Sequence, residues 1–450
     1  MTLYSTSPPD GLNVAVIGSG ISGLSCAWLL SRKHRVRVFE ADARAGGHSH
    51  TVSVPSPDGS IAVDTGFIVY NEPAYPNLTA LFHHLDVPTR ESDMSFAASL
   101  DGGALEYAGT DLRGLFAQPA NLLRPRFWRM LRDLLRFYRE AASDGKNAGL
   151  MPLGEYLRSR GYSDAFRDEH LLPMAAAIWS AAPGQVAAYP TEAFLRFCEN
   201  HHLLQVSGRP AWRTVTGGSR EYVRRLVQPF ASRMNLDQGV LEVRRDDEGV
   251  AIRTTVGWWP ERFDQVVVAT HADQALRLLP DASDDERRLL GAFRFSRNQA
   301  VLHGDPALMP KRRGVWASWN YLADRNDPER APCVTYWMNR LQGLPGAPLF
   351  VTLNPITPPR PELVIRTESY EHPLFDADAI RAQRSLWSLQ GRQRTWFCGA
   401  WFGSGFHEDG LQAGLAVAEA LGQVRRPWSV ENESARIHLH PLPHPAMATA

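Results

Sequence analysis

The sequence predicts an α/β fold: a nucleotide-binding domain built on a parallel sheet, with a second domain of mixed α+β character. Three observations carry that expectation. The apolar run Asn13-Val14-Ala15-Val16-Ile17 feeds Gly18-Ser19-Gly20-Ile21-Ser22-Gly23 and then a helical stretch, Leu24 to Ser31, which is the strand, glycine turn and helix of a Rossmann-like unit. The next strand, Arg35-Val36-Arg37-Val38-Phe39, ends on Glu40, about 20 residues past the turn, where a ribose-binding acid belongs. Apolar strands of the same kind recur far along the chain, at Gln265-Val266-Val267-Val268-Ala269 and Thr395-Trp396-Phe397-Cys398-Gly399, each patterned for burial on both faces.

The glycine turn specifies a ligand class before it specifies a reaction. Gly18 permits the tight turn, Gly20 lets the backbone approach a pyrophosphate, and Gly23 lets the helix lie close to the strand. The helix N-terminus then offers unpaired N–H groups and the positive end of its dipole to two phosphate charges. Glu40 accepts hydrogen bonds from ribose hydroxyls and repels a 2′-phosphate, so NADP is disfavoured at this site.

Composition bounds the rest. The chain has 450 residues, 44% of them hydrophobic, with lysine plus arginine equal to aspartate plus glutamate at 48 each. Such a chain buries a large core and divides into about two domains, and no overall field points to nucleic acid. The cysteines Cys26, Cys198, Cys333 and Cys398 stand singly among apolar neighbours without a metal-binding or redox spacing, as in a reducing compartment. No apolar run approaches the 18 or so residues that span a bilayer, and Met1 to Asp10 lack the pattern of a signal peptide. The expectation is a soluble, cytoplasmic protein with no metal site. His438, His440 and His444 read as part of a solvated, loose tail over 425–450.

The elements follow in order. Ile61 to Tyr70 reads as a strand interrupted by Gly66, a position where a ligand comes close. From Tyr75 to Arg213 the pattern is helical and includes the basic amphipathic stretch Asn121 to Glu140. There Phe127, Met130, Leu131, Leu134, Leu135 and Tyr138 share a helical face among Arg124, Arg126, Arg129, Arg132, Arg136 and Arg139. Two readings stand for it: a helix packed on the second domain, or peripheral contact of 121–140 with an anionic membrane surface. A hairpin follows, Gly239 to Val243 and Gly249 to Ile252, turning over Asp246-Asp247-Glu248-Gly249. An aromatic, strand-rich section from Arg294 ends in a proline-rich loop, Pro355 to Pro361. A final helix, Leu411 to Leu421, is closed by Gly422. The nucleotide-binding domain is therefore discontinuous, 11–74, 212–288 and 391–424, and 75–211 with 289–390 form the second domain.

Glu40-Ala41-Asp42-Ala43-Arg44-Ala45-Gly46-Gly47 resembles the ExxxRxGG motif of the flavin-containing amine oxidase, phytoene desaturase and protoporphyrinogen oxidase superfamily. The Asp64-Thr65-Gly66 strand, the Val240 strand, the Val266 to Ala269 strand and the Gly399 to Leu421 segment occur in that superfamily's order. Val87-Pro88-Thr89, Val301-Leu302-His303, Trp316 to Tyr321 and Gly405-Phe406-His407-Glu408-Asp409-Gly410 resemble a bacterial subfamily described as predicted NAD/FAD-binding proteins. The resemblance implies a Rossmann-like domain of the GR2 type and FAD as cofactor. It implies Gly18, Gly20, Ile21, Ser22 and Gly23 at the pyrophosphate, Glu40 and Ala41 at the ribose, and the Val240 backbone at adenine. It puts Arg44 at the pyrophosphate or organising the glycines, and Gly46, Gly47 and His48 along the ribityl chain. Thr65, Gly66, Phe67 and Ile68 fall beside the isoalloxazine, Gly399 near the flavin chain, and the N-terminus of the last helix, at Gly410 and Leu411, at its pyrimidine end. A cyclopropane-fatty-acid-synthase-like methyltransferase is often encoded nearby in that subfamily, which implies a lipid substrate and a lipid-modifying partner.

Three departures from the superfamily pattern matter. His48 stands where many relatives have arginine and introduces a titratable group. Gly399-Ala400 stands where an acid often touches the flavin chain. No lysine occurs at Arg297-Asn298-Gln299-Ala300-Val301, where amine oxidases often keep one, and this weighs against amine oxidation. His407 and Glu408 are the acid/base candidates by location, with helix capping as the alternative. Trp319 and Tyr321, on one face by alternation, with Trp316, Tyr336 and Trp337, wall a substrate pocket or belong to the core. The function expected is hydride transfer between FAD and a small organic or lipid substrate, with dehydrogenation of a fatty-acyl lipid first. Amine oxidation, or a non-catalytic FAD-binding accessory role, stands as the alternative.

Overall fold

The computed structural model describes residues 11–205, 208–325 and 332–441. Residues 1–10 and His444, which entered the sequence expectations, lie outside the described residues. The elements that place the site are, in chain order, β1 (Asn13–Ile17), α1 (Ile21–Leu30), β2 (Arg35–Phe39), β3 (Phe96–Leu100), β4 (Leu105–Ala108), α2 (Pro125–Ala148), α3 (Leu172–Trp179), α4 (Thr191–Asn200), β5 (Met234–Asn235), β6 (Gln265–Val268), β7 (Arg294–His303), β8 (Trp319–Ala323), β9 (Cys333–Trp337), β10 (Phe350–Leu353), β11 (Val364–Leu374), β12 (Thr395–Phe397) and α5 (His407–Gly422).

A parallel sheet runs β5-β2-β1-β6-β12 and draws its strands from the start, middle and end of the chain. Val14, Ala15 and Val16 of β1 and Val266, Val267 and Val268 of β6 are all 0% exposed, which is why these strands read as unbroken apolar runs. α1 starts where the turn releases it. Gly18 takes φ +98°, Gly20 occupies the N-cap position with no side-chain cap, and a Cβ on Gly23 would lie 2.0 Å from the Gly18 carbonyl oxygen. α5 crosses α1 on a seam of small residues, where a Cβ on Gly414 would meet the Ser22 carbonyl at 2.2 Å.

A larger mixed sheet, β11-β7-β10-β9-β8-β3-β4, stands beside it, antiparallel except where β8 meets β3. The expected hairpin forms, with Val240–Asp246 pairing antiparallel to Gly249–Thr254. The expected strand over Ile61 to Tyr70 is instead broken: Gly59–Asp64 and Val69–Asn71 flank a bend at 65–68. Gly66 lets the bend close against the His48 carbonyl oxygen, where a Cβ would lie only 2.1 Å away.

α2 buries Phe127, Met130, Phe137 and Ala141 and packs on α4. The buried face is rotated from the expected one. Phe137 is inside, while Leu135 is 50% and Trp128 48% exposed. No helix among the described residues is long and apolar enough to cross a membrane.

The segment from Arg425, expected as a loose tail, is held through residue 441. The Arg426 guanidinium, with 0% side-chain exposure, donates to Glu419 at 2.8 and 2.9 Å and to Asn77 Oδ1 at 2.9 Å. Trp428 stacks on Trp28 with centroids 5.8 Å apart, and Ile437 is 5% exposed. Composition hid this because one buried ion pair and one aromatic stack are enough to anchor a polar segment. Cys26, Cys198, Cys333 and Cys398 are buried, and burial raises the pKa of Cys26, Cys198 and Cys398.

Candidate functional site

A cavity of about 800 Å³ opens at the carboxyl ends of the parallel strands and runs on between the two sheets, the place where open α/β sheets bind ligands. One end is made by Gly18, Ser19, Gly20, Ile21 and Ser22 of the glycine turn, Glu40 and Ala41 after β2, and Gly239, Val240 and Leu241. A Cβ on Gly20 would meet nothing within 4 Å, so the bare backbone and the uncapped start of α1 face open space. Glu40 is pre-positioned. One of its oxygens accepts from Ser19 N at 2.8 Å and Ser19 Oγ at 2.6 Å, the other from Asp42 N at 3.0 Å, which leaves lone-pair capacity for a further donor.

Arg44, Gly23 and Gly46 do not line the cavity. Arg44 Nη1 donates to the Gly47 carbonyl at 2.8 Å, so its charge organises the glycine loop. Gly46, at φ +118°, would put a Cβ 2.7 Å from the Ser49 carbonyl oxygen. Gly47 lines the cavity, and its Cβ would come 3.1 Å from Gly20 Cα, so the two glycine segments touch.

The middle is walled by Gly47, His48, Thr65, Gly66, Phe67 and Ile68, by Gly399 and Ala400, and by Tyr370 and His372 of β11. Asp64 pins the bend before Thr65. Fully buried, it accepts from Thr51 Oγ1 at 2.6 Å, Ser219 N at 2.9 Å and Gln342 Nε2 at 2.8 Å, and burial raises its pKa to about 6 against those hydrogen bonds.

His48 is held neutral. Burial first, then the neighbouring histidines, drive its pKa well below 6.5, and its Nε2 has no hydrogen-bond partner. Its ring lies between Tyr370 and His372, with centroids 5.0 and 5.4 Å away. His372 has a fixed tautomer. Asn354 donates to Asn298 Oδ1 at 2.7 Å, which orients the Asn298 amide to donate to His372 Nδ1 at 3.0 Å, leaving the proton on Nε2. Burial lowers the His372 pKa to about 4.

Gly410 and Leu411, expected at the mouth of the last helix, lie inside it. α5 begins at His407, and the residues that reach the cavity are Gly405, Phe406 and His407. Gly410 abuts Ser22 Oγ, and Leu411 is 0% exposed. Asp409 Oδ2 already takes the Phe406 N–H at 2.8 Å, so the dipole of this helix is partly answered within its first turn.

His407 stacks on Phe67 at 3.8 Å, and its Nε2 meets Ser49 Oγ at 2.9 Å and Tyr222 OH at 3.1 Å. Burial lowers its pKa to about 3. Glu408 is no acid/base group of the cavity. It is buried away from it and accepts from Asn77 N at 3.1 Å, Leu78 N at 3.0 Å and Asn77 Nδ2 at 2.8 Å, capping the helix Pro76–His84.

The inner chamber is apolar, walled by Met94, Phe96, Met174, Ile178, Phe197, Trp319 and Tyr336. Of the expected aromatic wall only Trp319 and Tyr336 reach it, edge to face at 5.0 Å. Tyr321, 2% exposed, is core, and Trp316 packs on Trp337 at 5.6 Å. Sequence reading missed Tyr370 and His372, whose alternation on β11 was the available signal, and the helical contributors Met174, Ile178 and Phe197, which carried none.

A family model for flavin-containing amine oxidoreductases matches residues 21–298, more than half of the chain. The chain belongs to that family. It is 27% identical over 265 residues to the flavin-containing monoamine oxidase-type protein AofH of Mycobacterium tuberculosis, a match covering 57% of each chain. It is 22% identical over 279 residues to an L-amino acid dehydrogenase of Synechocystis, covering 59% of this chain and 57% of that one. The chain thus matches a little over half the length of these curated relatives.

Solved structures share its fold. Cyclohexylamine oxidase from Brevibacterium oxydans aligns with a TM-score of 0.65 and 16% identity over 92% of this chain and 99% of that one. The CLA-producing fatty acid isomerase from P. acnes aligns with a TM-score of 0.65 and 17% identity over 92% and 98%. FAD is the family's cofactor, and the open Gly20 backbone, the uncapped α1 and the spare acceptor capacity of Glu40 fit its diphosphate and ribose.

Proposed function

We propose that the protein is an FAD-dependent oxidoreductase acting at a carbon of an unsaturated or methylated fatty-acyl lipid. The observation that carries this reading is the chemistry of the inner chamber. Its walls are aromatic, methionine and isoleucine side chains, and the cavity's described lining includes no lysine. The carboxylates of that lining are Glu40, at the far end, and Glu371, which is paired with His271 at 3.2 Å. An ammonium entering the chamber would lose water with no acid to receive it, whereas an acyl chain gains by the same burial.

In this reading the Gly18 to Ser22 backbone holds the diphosphate, Glu40 the ribose and the Val240 backbone the adenine. Gly47, His48 and Thr65 to Ile68 flank the flavin end, with Gly399 behind them. Bound FAD supplies the acceptor or donor of a hydride. The apolar walls exclude water from the reacting carbon. Neutral His372, its proton on Nε2, lines the cavity, and neutral His407, held by Ser49 and Tyr222, stacks on Phe67 of the same lining. Lipid-modifying methyltransferases are the class of partner enzyme that would share such a substrate.

The test is an anaerobic titration of the flavin-loaded protein. Unsaturated or methylated acyl lipids are expected to bleach the oxidised-flavin absorbance. Bleaching by amines with release of ammonia, and none by lipids, would replace this reading with amine oxidation. A spectrum that no lipid, amine or nicotinamide changes would assign the protein an accessory role.

A further inference from the structure

The cavity does not end at the inner chamber. Its outer wall includes Tyr138, Leu203 and Arg209, and Tyr138 is shared with a second, more open cavity of about 490 Å³ bounded by Arg132, Leu135, Arg139 and Leu204. The Arg209 guanidinium sits at this partition, donating to Tyr138 OH at 3.3 Å and to the Gln205 carbonyl at 2.6 Å. Arg132 lies on Asp133 at 3.2 Å. Among the described residues no carboxylate pairs with Arg209 or Arg139. Tyr138 thus lines both cavities, with Arg209 on the first and Arg139 on the second, two cations to which no carboxylate among the described residues is paired.

We propose that the boundary between the two cavities at Tyr138 is the subsite for the anionic head of an amphiphile whose chain lies in the inner chamber, a carboxylate or phosphate received by Arg209 on the first cavity with Arg139 and Arg132 on the second. The inference rests on the acyl reading of the chamber. A planar guanidinium suits either oxyanion through paired, charge-assisted hydrogen bonds. Burying the head in the chamber itself would strip its water with no compensating cation, while each methylene that enters strengthens binding about fourfold. The division of labour between the two cavities follows: the head stays at the mouth, and the chain length beyond Tyr138 sets which carbon reaches the flavin end. Leu122 and Leu123, just before α2, and Trp128 in its first turn are exposed by 51%, 87% and 48% and leave both a free fatty acid and a lipid in a membrane as sources of that head.

Calorimetric titration of the flavin-loaded protein with oleic acid and with methyl oleate tests the subsite without reference to turnover. The wild type is expected to bind the acid at least tenfold more tightly than the ester. Arg209→Gln should erase that difference while binding the ester as before, and Arg209→Lys should keep part of it. Ester binding and an unchanged flavin spectrum serve as the folding control for both variants. Sedimentation with phosphatidylglycerol vesicles but not phosphatidylcholine vesicles, lost in the Arg209→Gln/Arg139→Gln double variant, would assign the head to a lipid phosphate. Acid binding alone would assign it to a free carboxylate. Oleic acid bound equally by wild type and Arg209→Gln, with vesicle binding unaltered, overturns the subsite and leaves the acyl reading standing. Failure of acid, ester and vesicles alike overturns both.

Discussion

Glu408 and His407 are neighbours at the start of α5, and packing sends them to different tasks. One residue of helix turns a side chain by about 100°, so His407 faces the cavity while Glu408 faces the buried N-terminus of Pro76–His84. Replacing Glu408 with Ala is expected to cost about 2–4 kcal/mol of stability, because it leaves buried N–H groups without an acceptor. Thermal unfolding would report the loss, and an unchanged flavin spectrum would separate it from a role at the cavity; flavin release without destabilisation would contradict it. Legibility at this scale depended on the backbone. Gly18, Gly20 and Glu40 were readable because a turn and a strand end fix where they point. For Tyr321 and Trp319 the alternation was right, yet only the packing of α3 and α4 decided that Trp319 meets open space and Tyr321 meets core.

Elements were readable where their pattern is local. β1, β6 and β12 each advertise themselves by an apolar run, β2 by the alternation of arginine and valine, and α1 by the turn before it. β11 did not, because Val364-Ile365-Arg366-Thr367-Glu368-Ser369-Tyr370 mixes charges with apolar residues and owes its extended form to pairing with β7. α5 was read from Leu411, whereas it begins at His407, since the buried Glu408 and Asp409 look like loop residues until their partners are known. The crossing of α1 and α5 is the element-level feature that sets the last helix against the helix of the glycine turn. Gly414→Ala would place a methyl 2.2 Å from the Ser22 carbonyl, so α5 must shift. The expected outcome is a stability loss of order 1–3 kcal/mol, read as a lower unfolding temperature, together with weaker flavin retention measured by absorbance after gel filtration. Full retention at unchanged stability would show that the seam is not needed.

Across the whole molecule, buried neutral histidines set the response to acid. Burial lowers the pKa values of His170, His201, His372 and His407 to about 4, 3, 4 and 3. The unfolded chain binds protons on them near pH 6.5 and the folded chain does not, so stability present above pH 6.5 is lost as pH falls, by roughly 1 kcal/mol per histidine per pH unit. Asp64 works the other way. Its folded pKa of about 6 lies above the ordinary 3.8, so it lowers stability as pH rises from about 4 to 6. Glu408 and Asp409 are raised in the same direction as Asp64, but nine histidines among the described residues are lowered, which leaves the histidines dominant. The denaturation midpoint should therefore fall steeply between pH 7 and 5.5, and a flat or rising midpoint would refute the neutral assignment.

By itself the sequence determined one end of the cavity: a parallel sheet from three separated pieces of chain, a glycine turn that leaves its backbone open, and an acid, Glu40, at the end of the next strand. Those features are encoded in contiguous residues whose backbone conformation is dictated locally. Only the tertiary structure decided the rest. It selected His407 over Glu408 and Trp319 over Tyr321, brought His372 and Arg209 to the cavity, and anchored the segment after Arg425. Each of those outcomes depends on which surfaces meet across hundreds of residues, and side-chain direction at such contacts is set by packing rather than by neighbours in the chain.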